Sequence, residues 1–143
     1  MSEQTSSGVM AGKRGLIMGV ANDRSIGWGI ASKLAEHGAE LAFTFQGEAL
    51  QKRVIPLAES VGSNLVLPCD VTDEASVDAV FDRLKSEWGE LDFVLHAIAY
   101  SDKEELKGGY VDTSRDNFQR TMDISVYSFT EITRKATAMM KDG

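Results

Sequence analysis

Short apolar segments alternate with segments of helical periodicity along the chain, and this alternation restricts the possible folds more than any other feature. The apolar segments show little alternation of polar and apolar residues, which is typical of strands covered on both faces. There are four of them, at Arg14–Val20, Ala39–Phe45, Asn64–Asp70 and Leu91–Tyr100. Strands and helices that alternate at this spacing form βαβ units with right-handed crossovers. The sequence therefore predicts an α/β fold, with four strands in a doubly wound parallel sheet and four helices.

The first helical segment has a regular apolar spacing, and the second has a weaker pattern. In the first, Ile26, Ile30 and Leu34 recur every four residues, which is the spacing of one apolar helix face. The second, at about 48–60, contains Pro56. Because proline cannot donate a backbone hydrogen bond inside a helix, we expect a kink or an early stop there.

The third and fourth helical segments have clearer patterns. One face of the third helix is predicted to consist of Val77, Val80, Phe81, Leu84 and Trp88. A long apolar-rich helix is predicted from about 114 to 140. Between the last strand and this helix lies a polar loop that contains two glycines.

The composition excludes several classes of partner. With 143 residues, 43% of them apolar, the chain can bury one core, and one domain is expected. A net charge of −7 argues against a nucleic-acid surface, which needs clustered Lys and Arg. No apolar run approaches the roughly 20 residues of a membrane span, so no membrane partner is expected. The single cysteine, Cys69, excludes an internal disulfide and favours a reducing compartment, the cytoplasm.

Two further features concern the domain limits and metal binding. Residues 1–11 are predicted to form a flexible polar tail. The first residues lack the charged start and apolar stretch of an export signal, so they are not interpreted as one. The domain is then expected to begin at residue 12 and to continue to residue 143. His37 and His96 lie too far apart in sequence to suggest a metal site.

A glycine-rich loop lies between the first strand and the first helix, where open α/β sheets bind their ligands. It runs from Gly19 through Ser25 to Gly27 and Gly29. Glycine allows a backbone to approach a pyrophosphate, and the free N–H groups at a helix start favour an anion. Ser25 is placed to cap the helix. The spacing departs from G-x-G-x-x-G, so a nucleotide loop and a tight turn are both open readings of the loop alone.

The residues that follow strands two and three favour a dinucleotide. Gln46 can hydrogen-bond a ribose hydroxyl, and Glu48 would repel the 2′-phosphate of NADP, so NAD is favoured. Lys52 and Arg53, one helical turn further on, keep NADP possible. The carboxylate of Asp70 can accept from an adenine amino group, or it can cap the next helix.

Several of these segments carry a family resemblance over nearly the whole chain, from about residue 12. They are GKRGLIMGVANDRSIGWGIA, AELAFTFQGE, LPCDVTD and DISVYSF. With these motifs the chain resembles the bacterial enoyl-acyl carrier protein reductases, a divergent branch of the short-chain dehydrogenase superfamily with a Rossmann-like fold. Ordinary ketoreductases of that superfamily differ, because they carry N-A-G where this chain has HAIAY and an Asn where Ser125 stands.

The resemblance implies an activity and a set of partners. It implies reduction of a trans-2-enoyl thioester, carried on acyl carrier protein, by hydride from NADH in type II fatty acid synthesis. NADPH is the less favoured cofactor. It also implies a homotetramer, assembled through helices that flank the centre of the sheet. Two alternatives are another short-chain dehydrogenase, such as a 3-oxoacyl reductase, and a non-catalytic NAD-binding module.

The resemblance also implies roles for nine residues. Gly19, Ser25 and Ile26 would bind the pyrophosphate and the neighbouring ribose. Around the adenosine, the implied residues are Gln46, Asp70 and Val71. On the nicotinamide side and at the start of the acyl pocket, they are Ile98, Tyr100 and Ser101. An alternative interpretation is that Ile26 and Ile98 are core residues.

No catalytic residue is assigned in this chain. In the family the catalytic Tyr and Lys follow a fifth strand, and none of the three tyrosines here has a lysine at the family's spacing. We therefore expect a Rossmann-like sheet truncated after the fourth strand and its following helix, with low stability in isolation. The face of the last helix left uncovered is expected to include Phe118, Met122, Phe129 and Ile132.

Overall fold

The fold is a four-stranded parallel sheet with helices on both faces. The computed structural model describes residues 8–141. The strands lie in the order β3-β2-β1-β4. Their bounds are Arg14–Met18 for β1, Glu40–Phe45 for β2, Val66–Pro68 for β3 and Phe93–His96 for β4. The predicted α/β fold with a parallel, Rossmann-like sheet is confirmed.

The winding of the sheet reverses beside β1. The chain passes from β1 to β2 to β3 in one direction, and β4 then pairs with the other side of β1. Leu16 of β1 is the register partner of Ala42 on one side and of Val94 on the other. Since all strands are parallel, their carboxyl ends share one edge, and the reversal lies between the ends of β1 and β4.

Within residues 8–141, five α-helices and one π-helical turn pack around this sheet. The α-helices are α1 Ile26–Glu36, α2 Glu48–Ser60, α3 Glu74–Glu87, α4 Arg115–Met122 and α5 Ser128–Thr137. The π-helical turn, Asp123–Tyr127, joins α4 to α5. Two short 3₁₀ turns, Lys103–Leu106 and Tyr110–Asp112, lie in the loop after β4.

The apolar core has two layers because successive residues of a strand point to opposite faces. Ile17 joins Ala31 of α1 and Val54 of α2 on one face of the sheet. Leu16 joins Leu84 of α3 and Ile132 of α5 on the other. All six side chains are at most 2% exposed. Helices therefore cover both faces, as a doubly wound sheet requires.

The apolar stripe of α1 is not its buried face. Ile26 is 81% exposed and Ile30 is 40% exposed, whereas Gly27 and Ala31 are buried. A Cβ at position 27 would lie 3.4 Å from the Cβ of Ala97, which is ordinary contact distance. The helix thus approaches the sheet through small residues. The suggestion that Ile26 is a core residue was wrong.

The helix that contains Pro56 does not stop early. It continues for 13 residues to Ser60 and buries Val54 and Ala58 completely. The packing of these two side chains on either side of Pro56 offsets the single backbone hydrogen bond that the proline removes. Of the two expected effects of Pro56, the early stop was therefore wrong, and the kink stays a prediction.

The long helix after the β4 loop is interrupted by the π-helical turn and ends at Thr137 rather than near 140. Phe118, Met122 and Phe129 are exposed, as expected. Ile132 is only 2% exposed and belongs to the core, so its predicted place on the uncovered face was wrong. The five-residue turn rotates α5 relative to the pattern of an unbroken helix, because π-helical bonds span one more residue than α-helical bonds.

The predicted N-terminal tail lies partly outside the described residues, which begin at residue 8. Within the described part, the Met10 amide donates to the His37 carbonyl over 2.9 Å, and Met10 packs against the core layer under α1 and α2. The limits of the tail at residue 11 and of the domain at residue 12 stay predictions.

Candidate functional site

A cavity of about 240 Å³ lies at the carboxyl edge of the sheet, where the winding reverses. Five of the predicted site residues line it: Gly19, Gln46, Val71, Ile98 and Tyr100. The main additions that sequence reasoning missed are Thr44, Leu50, Cys69, Ala97 and Ile124. Four other predicted residues, Ser25, Ile26, Asp70 and Ser101, are absent from its lining.

Gly19 is required by its neighbours in the sheet. Its φ is +104°, in the region that side chains disfavour. A Cβ there would lie 2.0 Å from the carbonyl oxygen of Ala97, just after β4. The close approach that sequence reasoning assigned to a pyrophosphate is therefore already made by the protein's own backbone, which draws β1 and β4 together at the mouth of the cavity.

Ser25 occupies the N-cap position of α1, but its hydroxyl does not cap the helix. The Ser25 Oγ instead accepts hydrogen bonds from the amides of Ala21, over 3.0 Å, and Asn22, over 3.1 Å. Asn22 Oδ1 in turn accepts from the Arg24 amide over 2.8 Å. The side chains thus shape the glycine loop. The amides of the first turn of α1 are left without a bond from the Ser25 hydroxyl, which suits an anion.

Asp70 does not cap the following helix. Asp73 is the cap of α3, since its Oδ1 accepts from the Ala75 amide over 3.1 Å. Asp70 Oδ1 accepts from both the amide and the hydroxyl of Thr72, over 2.9 Å and 2.6 Å. The capping alternative was therefore wrong, and the contact with adenine stays a prediction. The turn that Asp70 makes presents its neighbour Val71 to the cavity.

Cys69 contributes an apolar wall rather than a reactive group. Burial, with a smaller contribution from the nearby Asp70 charge, raises the pKa of the Cys69 thiol to about 11. The thiol is therefore protonated at neutral pH, and a protonated thiol is a poor nucleophile.

The segment that follows β4 forms the opposite wall of the cavity. Ile98 lines the cavity and also packs against the core layer under α3 and α5, so it fits both interpretations of the sequence. Ser125, in the π-helical turn, holds the backbone of Tyr100 from both sides. Its Oγ accepts from the Tyr100 amide over 3.0 Å and donates to the Tyr100 carbonyl over 3.3 Å. The residue that stands where ketoreductases carry Asn thus fixes the wall of this cavity.

Ser101 lies at a different cavity, of about 360 Å³, between the β4 loop and α4. Its hydroxyl accepts from Asn117 Nδ2 over 3.2 Å, and the Asp102 amide donates to Asn117 Oδ1 over 2.8 Å. Asn117 is 7% exposed. The structure therefore separates Ser101 from Tyr100, its sequence neighbour, and no pattern in the sequence had identified Asn117.

An open extension of the site continues beyond Gln46. A shallow space of about 630 Å³ is lined by Gln46, Thr72, Arg120 and Ile124, among others. Gln46 and Ile124 line both cavities, so the two cavities are adjacent. Arg120, which sequence reasoning missed, places a positive charge beside the residue predicted to meet the adenosine ribose.

Within residues 8–141 there is no group of three or more His, Cys, Asp or Glu side chains that could hold a metal ion. In the same part of the chain, no helix is both long and apolar enough to cross a membrane. The site is thus defined by a glycine loop, apolar walls and hydrogen-bonding groups.

Comparison with known proteins identifies the family. The family model described as enoyl-(acyl carrier protein) reductase matches residues 19–143. The chain belongs to this family. All the residues that line the cavity, at the ends of β1, β2, β3 and β4, lie within the matched range.

Individual members of the enoyl-(acyl carrier protein) reductase family are closely similar to it. An enoyl-[acyl-carrier-protein] reductase [NADH] of Rhizobium meliloti is 64% identical over 138 residues, which is 96% of this chain and 51% of the relative. A crystal structure of the Anaplasma phagocytophilum enoyl-(acyl-carrier-protein) reductase in complex with NAD has a TM-score of 0.89 and 56% identity, over 93% of this chain and 51% of that one. A Bacillus cereus enoyl-acyl carrier protein reductase, solved with NADP⁺, has a TM-score of 0.91 and 44% identity, over 95% of this chain and 54% of that one. The chain spans about half the length of these relatives.

Proposed function

We propose that the natural protein containing this chain is an enoyl-[acyl-carrier-protein] reductase of type II fatty acid biosynthesis. It transfers hydride from NADH to a trans-2-enoyl thioester carried on acyl carrier protein. The observation that carries the proposal is the cavity at the winding reversal, whose lining lies within the part of the chain that matches the family. A relative that is 64% identical to the chain is named as an NADH-dependent reductase. A catalytic residue is not assigned, and this chain supplies the cofactor-binding part of the site.

The walls of the cavity suit a dinucleotide. We assign the pyrophosphate and its ribose to Gly19, Ser25 and Ile26, beside the amides at the start of α1. The adenosine is assigned to Gln46, Asp70 and Val71, the nicotinamide side to Ile98, and the beginning of the acyl pocket to Tyr100 and Ser101. Five of these residues already line one cavity, and the loop that holds Ser25 is ordered by its own hydrogen bonds.

The division of labour follows from the chemistry of the reaction. Bound NADH supplies the hydride, and its addition to the β-carbon leaves negative charge on the thioester oxygen, which a positioned donor must stabilise. The residues of this chain orient the cofactor and exclude water from one side of it. Ile98, Val71 and Cys69 provide an apolar wall, and Ser125 fixes the backbone of Tyr100 beside it.

Turnover by the natural full-length protein tests the proposal. We expect oxidation of NADH to depend on added enoyl thioester, with little oxidation when a 3-oxoacyl thioester replaces it. Selective turnover of the 3-oxoacyl substrate would instead support another short-chain dehydrogenase, and NADH binding without turnover would support a non-catalytic module. NADPH, assayed in parallel, tests the preference for NADH over NADPH. Glu48 favours NADH, whereas the positive charges of Arg120, Lys52 and Arg53 favour NADPH.

A matched pair of variants connects that activity to the cavity. Gln46→Ala is expected to weaken NADH binding about tenfold, as loss of one or two hydrogen bonds from a ribose would do. Gln51→Ala makes the same change in α2 at a residue outside the cavity lining, and its affinity should match the parent protein. Equal affinities for the two variants would contradict the assigned role of Gln46.

The proposal extends to assembly and location. A homotetramer is supported by the exposed apolar side chains of Phe118, Met122 and Phe129 on one helical segment. A cytoplasmic location is supported by the single free cysteine, Cys69, which is buried. Neither nucleic acid nor a membrane is among the proposed partners, and the substrate carrier is acyl carrier protein.

A further inference from the structure

We propose that His96 and Ser128 are a pair of positioning residues that hold the π-helical turn against the wall of the cofactor cavity. The inference rests on the proposed function, since it concerns the alignment of the cofactor for hydride transfer. His96 is the last residue of β4, and Ser128 is the first residue of α5. Their side chains meet over 2.8 Å between His96 Nε2 and Ser128 Oγ.

The hydrogen-bond network assigns the proton on the imidazole. Ser128 Oγ lies 2.5 Å from the Ile124 carbonyl, and a carbonyl can only accept, so the single hydroxyl proton of Ser128 points to Ile124. Ser128 must then accept from His96, which places the ring proton on Nε2. Burial lowers the pKa of His96, so the neutral ring with that tautomer is the form present at neutral pH. The edge of the His96 ring also meets Phe129, with 5.5 Å between ring centroids.

This pair and Ser125 clamp the chain at two points, at the last residue of β4 and at Tyr100 beyond it. One clamp joins His96 to Ser128, and the other joins the backbone of Tyr100 to Ser125. The three residues between the clamped positions, 97–99, all line the cavity. Ile124, whose carbonyl receives the Ser128 proton, lines the same cavity from the other side. The two clamps thus hold the cavity-lining residues 97–99 at both ends.

A positioning role is distinct from a contribution to the fold alone. Ser128 is 1% exposed, so loss of its partner would leave a buried polar group in either case. Positioning predicts an additional effect, because a misplacement of about 1 Å can lower a rate on the order of a hundredfold without unfolding the protein. The reaction rate should therefore depend on an N–H donor at the position of Nε2 and not on the imidazole ring itself.

The test compares variants of the natural full-length protein. His96→Gln keeps an N–H donor close to the position of Nε2, whereas His96→Leu removes it. Ser128→Ala removes the acceptor. Thr133→Ala is the matched control, because the Thr133 hydroxyl also donates to a carbonyl four residues earlier, that of Phe129, over 2.7 Å, but on the exposed side of α5. The measurements are kcat and KM for enoyl reduction, the thermal midpoint, and amide hydrogen exchange over residues 97–100.

We expect Ser128→Ala and His96→Leu to lower kcat about tenfold or more. They should also speed exchange at 97–100, while Thr133→Ala and His96→Gln stay within about threefold of the parent protein. Equal rates and equal exchange in His96→Gln and His96→Leu would overturn the proposal. If Ser128→Ala does not fold, the His96 pair decides. If the parent protein shows no enoyl turnover, the proposed function fails, and the exchange comparison still tests the clamp.

Discussion

Gly19 directly follows β1, at a position where the neighbouring backbone leaves no room for a side chain. The Ala97 carbonyl would lie 2.0 Å from an added Cβ, and φ at Gly19 is +104°. Gly62 has a similar φ, +78°, but an added Cβ there would meet nothing within 4 Å. The two glycines therefore separate the cost of the backbone conformation from the cost of the collision.

We expect Gly19→Ala to lower the free energy of unfolding by several kcal/mol. Gly62→Ala should lose only the backbone cost, about 1 kcal/mol. Because Gly19 also lines the cavity, its variant should bind NADH more weakly, whereas the Gly62 variant should bind it normally. Urea unfolding and NADH titration of the natural protein provide both quantities. Equal losses of stability would show that the collision relaxes and that only the conformation matters.

At the scale of the elements, the sequence predicted the order of strands and helices better than their faces. The four apolar segments became β1 to β4. Only β2 keeps the predicted end, at Phe45, whereas the last residues of the other three segments lie outside the sheet. Ala97 to Tyr100 became cavity wall instead. The spacing of Ile26 and Ile30 located a helix but not its buried side, since that side depends on the small residues Gly27 and Ala31. Periodicity records which residues share a face, and packing decides which face is covered.

Site residues could be predicted where one backbone position determines the contact. Gly19 and Gln46 directly follow β1 and β2, and Val71 lies in the turn after β3, so their places in the fold bring them to the cavity. Ser25 and Asp70 were both candidates for helix caps, but their side-chain oxygens accept hydrogen bonds within their own loops instead. The direction of a short polar side chain depends on the loop around it. Contacts between distant segments, such as that of Asn117 with residues 101 and 102, have no signature in local sequence.

The loop between β4 and α4 offers a test at this scale. Asn117→Ala removes the acceptor of the Asp102 amide and the donor to the hydroxyls of Ser101 and Thr113. We expect a loss of about 1–3 kcal/mol in loop stability, as for other unpaired buried groups, and faster trypsin cleavage after Lys103. Gln119→Ala, on the exposed side of the same helix, should leave the cleavage rate unchanged. Identical cleavage of both variants would mean that Asn117 does not anchor the loop.

At the scale of the whole molecule, the segment from α4 to α5 leaves several of its large apolar side chains uncovered. Ile132 and Ala136 seal α5 onto the core, but Phe118, Met122 and Phe129 remain between 42% and 57% exposed. Apolar side chains grouped on one segment in this way are typical of a protein–protein interface. Val111, at 87% exposed, lies outside this segment, in the β4 loop.

This contrast allows the proposed homotetramer to be tested. We expect the double variant Phe118→Ser, Phe129→Ser of the natural protein to have a smaller mass by light scattering, because each copy loses apolar area from the interface. Val111→Ser removes a more exposed apolar side chain outside that segment, so its mass should equal the parent's. Both variants must retain the parent's circular dichroism. An unchanged tetramer in the double variant would place the interface elsewhere, and a parent protein that is already monomeric would refute the assembly.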